Sequence, residues 1–106
     1  MSVSNCQIVG NTVQGGRAGS GSVGGEGLGG GIFVGAGTAA LNGVLVIGNQ
    51  AQGGTDSQGT TTGQGLGGGV YVDPSASVTA DVLTLIVGNL ASTSNNDVWG
   101  TITIVP

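Results

Sequence analysis

One phrase occurs twice in this chain, LGGGIFV at Leu28–Val34 and LGGGVYV at Leu66–Val72, 38 residues apart. A second phrase keeps step with it: IVGN at Ile8–Asn11, VIGN at Val46–Asn49 and IVGN at Ile86–Asn89. The three asparagines stand 38 and then 40 residues apart. Self-similarity at a fixed period is the mark of stacked-repeat architectures, in which each unit buries its apolar face only against its neighbours. The expected fold is therefore all-β, a parallel β-helix (β-solenoid) of about three coils with Gly-rich loops.

Composition has to be weighed against that reading. The 106 residues include 25 Gly and 2 Pro, a share at which low-complexity chains begin. Disorder, however, goes with few apolar residues and much charge. Here 38% of the residues are hydrophobic and 6% are charged, and the apolar ones cluster in short Val/Ile/Leu runs.

Each unit reads as a glycine triplet, a short strand, a turn, a second strand region, a Gly-Asn corner and a glycine-rich excursion. Ile32–Val34 and Val70–Val72 are β-branched or aromatic, as strands favour. Ala39–Ile47 and Ser77–Val87 supply the second strand region; Asn42-Gly43 offers a tight turn there, with Asp81 at the matching corner. The two extra residues of the 40-residue interval are expected within this region. Gln50–Gln64 and Thr12–Gly27 read as loops leaving the wall.

Alternation puts Ile32 over Val70 and Val34 over Val72 inside, one strand spacing apart. Phe33 and Tyr71 then point outward as a stacked pair, with the Tyr71 hydroxyl wet; this pair is the candidate binding surface. Asn11, Asn49 and Asn89 are expected to stack as a corner ladder, on the grounds that Asn tolerates left-handed backbone and its amides can bond from layer to layer. Cys6 aligns with Val44 and is expected to be a small buried residue.

The repeat units run over residues 3–27, 28–65 and 66–91, within a single solenoid domain or fragment spanning 1–106. Residues 92–106 depart from the repeat and read as a cap, with Trp99 packed in it. Val3–Asn11 matches only the second half of a unit, so the first unit is incomplete; either this is an excised fragment or the half-unit docks on another molecule. MSVSNCQIVGN lacks the basic start and apolar core of a signal peptide.

Several functions are disfavoured by the residues themselves. One Arg, no Lys and no His against five acids leave a formal charge of −4. Nucleic-acid binding rests on several phosphate contacts from Lys or Arg, and binding to an anionic membrane needs a basic patch. No run of about eighteen apolar residues would span a bilayer. Gly25-x-Gly27-x-x-Gly30 and Gly63-x-Gly65-x-x-Gly68 imitate the dinucleotide fingerprint, but a strand rather than a helix follows each. GGEGLGGGI at Gly24–Ile32 echoes a calcium nonapeptide with Gly29 where the Asp should be. Ser and Thr have no His or Lys to activate them, and no two acids are paired. No catalytic residue, metal or cofactor is expected.

The GGGI[FY] element at Gly29–Phe33 and Gly67–Tyr71, with the GN pairs at Gly10-Asn11, Gly48-Asn49 and Gly88-Asn89, resembles the repeats of secreted right-handed parallel β-helix proteins. These include polymorphic outer-membrane-type and autotransporter-like Gly-rich surface proteins. The resemblance implies right-handed winding, display outside the cell or on its surface, and adhesion or scaffolding. The leading expectation is a structural element that associates end to end, as a homo-oligomer, filament or part of a longer solenoid. An adhesin or carbohydrate-binding segment recognising a glycan or cell-surface ligand is the alternative. Ice binding, suggested by Thr60–Thr62 and Thr101-x-Thr103, is the minor one.

Overall fold

The computed structural model describes residues 1–19, 23–56, 58 and 63–105. Among these the chain forms strands and turns with no helix. A first pass gives β1 (Ser2–Ser4), β2 (Gln7–Val9) and β3 (Thr12–Gln14). A second gives β4 (Gly27–Leu28), β5 (Ile32–Val34), β6 (Gly37–Asn42), β7 (Leu45–Ile47) and β8 (Gln50–Gln52). A third gives β9 (Gly65–Leu66), β10 (Val70–Val72), β11 (Ala76–Ala80), β12 (Leu85–Val87) and β13 (Leu90–Ala91). β14 (Val98–Trp99) and β15 (Ile102–Ile104) follow.

Strands from successive passes lie side by side in the orders β1-β6-β11-β15, β14-β10-β5, β12-β7-β2, β13-β8-β3 and β4-β9. Every strand pairing among the described residues is parallel. The result is a parallel, solenoid-like stack. Its register reproduces the sequence period, with Val70 on Ile32, Tyr71 on Phe33 and Val72 on Val34.

The longer second interval has two separate sources. Val72 pairs with Val34, Ala76 with Gly37 and Leu85 with Leu45, so the offset grows from 38 to 39 to 40. One extra residue sits in the Asp73–Ser75 turn, ahead of the region where both were expected, and the other lies between Ala80 and Leu85.

Inward residues of β5, β6, β7, β10 and β11, with Val44 just ahead of β7, make the core: Ile32, Val34, Ala39, Leu41, Val44, Val46, Val70, Val72, Val78 and Ala80. Each fully buried Val or Leu contributes roughly 1.5–3 kcal/mol. Cys6 is not part of it. It is exposed, with its thiol donating to the Ser4 carbonyl, because the first pass is covered on one side only, whereas Val44 has a layer on both.

The glycine triplets are explained position by position. Gly29 and Gly67 hold left-handed φ values of 69° and 65°, which a Cβ disfavours. A Cβ on Gly30 would run into the Gly68 and Gln50 carbonyls, and one on Gly68 into those of Leu90 and Asn96. The third glycine clears space for the corner asparagine: a Cβ on Gly31 would sit 3.1 Å from Asn49 Nδ2, and one on Gly69 would sit 2.8 Å from Asn89 Nδ2. GGGI and GN, far apart in sequence, are two sides of one contact.

The excursions correct a second expectation. They begin as strands β3 and β8 and return as β4 and β9, all paired from pass to pass. Between them glycine backbones bond directly: Gly25 N to Gly16 O (2.9 Å), Gly54 N to Gly25 O (2.7 Å) and Gly63 N to Gly54 O (3.0 Å). A Cβ on Gly54 would collide with the Gly16 carbonyl. Glycine here permits backbone contact that any side chain would block.

Candidate functional site

Three features stand out on this scaffold: an amide ladder at one corner, an aromatic stack at another, and outward faces of unusual composition. The ladder is continuous. Asn49 Oδ1 accepts from Asn11 N (2.9 Å) and Nδ2 (3.0 Å), and Asn89 Oδ1 accepts the same pair from Asn49 at 2.9 and 3.0 Å. Asn49 Nδ2 also reaches the carbonyls of Ile8 (2.8 Å) and Ile47 (3.2 Å), and Asn89 Nδ2 those of Val46 and Val87 (both 3.0 Å). Asn49 thus ties three passes of chain together, and Asn89 ties the second pass to the third. The left-handed residue of the corner is not the Asn, as expected from sequence, but the glycine before it, with φ of 69°, 67° and 65° at Gly10, Gly48 and Gly88.

Asp97 extends the ladder. Its Oδ1 accepts from Asn89 N and Nδ2, both at 3.0 Å. The Asp97 side chain has no amide N–H to pass on, so the amide relay ends there. Asn95-Asn96-Asp97 is a turn signal in the sequence, and nothing in its spacing reveals that Asp97 joins the ladder.

Asp81 fixes the corner between β6 and β7. Its Oδ1 accepts from Gly43 N (3.0 Å) and from the Thr84 hydroxyl (2.9 Å). The Gly43 N–H holds the Asp81 carboxyl below its ordinary 3.8, with the Thr84 hydroxyl adding to the effect. A carboxylate with a lowered folded pKa contributes stability above its unfolded pKa and loses it as pH falls through the folded one. Melting temperature should therefore stay flat at neutral pH and drop as the pH passes below 3.8. Asp81→Asn, which keeps an acceptor oxygen, should shrink that drop in pH-resolved thermal melts.

Phe33 and Tyr71 do stack, with ring centroids 5.3 Å apart and planes within 6°. Trp99 then lies on the other face of Tyr71 at 4.6 Å and 6°. This closes the middle ring. Tyr71 is only 8% exposed and Phe33 53%, so the outward pair predicted from sequence offers one accessible ring rather than two. Burial, with the charges of Asp73 and then Glu26, holds the Tyr71 phenol above its ordinary value.

Below the Asp73–Ala76 turn, beside Trp99, lies a cleft of about 220 Å³ lined also by Val72, Pro74 and Thr101. Asp73 Oδ2 accepts from Ser75 N (3.0 Å) and Oγ (2.7 Å), the hydroxyl bond being the main reason its carboxyl lies below the usual range.

The outward side of β2-β7-β12 escaped the sequence reading. Its rows are Gln7, Leu45, Leu85 and Val9, Ile47, Val87, of which Gln7, Val9, Leu85 and Val87 are exposed. The continuous runs LVI and LIV are the available signal, since a strand with one wet face alternates. On the β1-β6-β11-β15 side, Thr103, Thr79, Ala40 and Ser2 form one outward row, interrupted by Ala40. Thr60–Thr62 lie outside the described residues.

Among the described residues no three His, Cys, Asp or Glu side chains gather to hold a metal ion. Comparison with protein-family models, with curated proteins and with solved structures finds no match for this chain.

Proposed function

We propose that this chain is a non-enzymatic structural element of an extracellular or cell-surface solenoid, a right-handed parallel β-helix of about three coils that takes a further coil of its own kind end to end. The observation that carries the reading is the one-sided pairing of the first layer: β1, β2 and β3 each have a partner on one side only. Such an edge is a template for another strand. Charged side chains ordinarily blunt such edges, and none occurs in Ser2–Gln14.

The ladder gives the edge a preference. Asn49, Asn89 and Asp97 each accept two bonds from the layer before, so an incoming layer with its own Gly-Asn corner would supply the same pair to Asn11. A coil of a longer polypeptide can carry that corner; a second copy stacking head to tail would present the layer in which Asp97 holds the ladder position, and would pair through the backbone edge alone. Right-handed winding is favoured because parallel crossover connections take that hand in nearly every case. The surface location rests on the family resemblance of the repeats. Carbohydrate binding is the weaker reading, since it draws on Phe33 with Tyr71 covered.

Size exclusion with light scattering across a dilution series, with negative-stain microscopy, tests the proposal. Mass should rise with concentration, and head-to-tail contacts that do not close should give short filaments. A constant monomer mass at every concentration would sink the self-associating form.

A further inference from the structure

We propose that the cleft beneath the Asp73–Ala76 turn binds a guanidinium group, stacked on the indole of Trp99 and paired with the Asp73 carboxylate. The cleft comes from a mismatch between two stacked corners. Six residues separate Tyr71 from Val78, but only two separate their partners Trp99 and Ile102. The longer corner therefore overhangs the shorter one, and the space beneath it is the 220 Å³ cleft.

Its lining is chemically selective. Trp99 is held on one face by Tyr71 at 4.6 Å, with Phe33 stacked behind, so its orientation is set before any ligand arrives. Trp is the best of the aromatic faces for a cation, and a planar guanidinium stacks on it as well as pairing with carboxylate. Asp73 is pre-oriented too: Oδ2 receives both Ser75 bonds, and neither goes to Oδ1. Val72 and Pro74 supply apolar wall for the stem of an arginine side chain, and Gly100 and Thr101 complete the lining. No cationic side chain lines the cleft, and the chain as a whole carries −4. A neutral sugar could bond the carboxylate through its hydroxyls but brings no charge to pair with it, and an ammonium would leave the flat indole under-used. This inference stands apart from the end-to-end reading.

Trp99 is the only Trp and lines this cleft, so at a fixed protein concentration its emission follows occupancy of the cleft. The full chain should be titrated, at constant ionic strength, with N-acetylarginine amide, its lysine counterpart and the neutral citrulline isostere. The arginine probe should give a saturable change, with the citrulline probe about tenfold weaker for want of a charge-assisted bond. The lysine probe should bind several-fold more weakly than arginine. Asp73→Asn should lose about tenfold toward arginine, while Asp81→Asn, outside the cleft, leaves it unchanged. Citrulline or lysine binding as tightly as arginine in the unmodified chain, or no saturable response to arginine, overturns the proposal. These arms need no variant to fold.

Discussion

Asn49→Ala is expected to lower the melting temperature by about 12–40 °C or to unfold the protein outright, since about 3–5 kcal/mol is lost and each kcal/mol shifts a domain of this size by about 4–8 °C. Asn49 is 1% exposed, and its side chain accepts from Asn11 N and Nδ2 while donating to Ile8 O, Ile47 O and Asn89 Oδ1. Truncation leaves these groups facing a small apolar void. A buried donor or acceptor left without a partner costs about 1–3 kcal/mol, more than the net worth of the bond it made. A small domain has only about 5–15 kcal/mol in all. Asn11→Ala is the internal control: the same residue type in the same ladder, but exposed and open to water on one side. It should cost about 1 kcal/mol. Equal losses at the two positions, by thermal and urea melts, would show that the ladder does not tie the passes together.

Gly68→Ala should be of similar severity for a different reason. The φ of Gly68 is not in the left-handed region, so alanine meets no conformational objection there. The obstacle is contact: the new methyl would overlap the carbonyls of Leu90 and Asn96. Neither is the mobile end of a side chain, so the layers must part. Overpacking a tight interior costs about 1–3 kcal/mol where side chains can adjust, and backbone against backbone should exceed this, giving a loss of about 3 kcal/mol or more. Gly16→Ala, with open space around it and a glycine-rich segment on either side, should be nearly silent. Urea midpoints of the two variants make the comparison direct.

Repetition made the stack legible because equivalent residues at a fixed period have to meet equivalent residues. Ile32 on Val70 and Phe33 on Tyr71 follow from that alone. What the period did not reveal were contacts between non-equivalent positions. The fit of Gly31 against Asn49 and the closure of the ladder by Asp97 join stretches with no sequence likeness. The excursions misled for a related reason: glycine-rich sequence has no apolar alternation to read, yet glycine is what allows backbones to bond there. Cys6 was misjudged because alignment with Val44 carries over position but not the missing neighbour above it.

Alternating backbone groups of the first layer point away from the stack. Asn5 N, Gly10 N and Gly15 N are bonded to the second pass, which leaves the amides of Gln7, Val9, Thr12 and Gln14 facing outward. Residue-resolved hydrogen exchange across a concentration series reads these four groups directly. If the edge takes another copy, their protection rises with concentration while that of Val46, buried throughout, stays high and constant. Exchange at the rate of an exposed amide at every concentration, up to the limit of solubility, would contradict the proposed self-association.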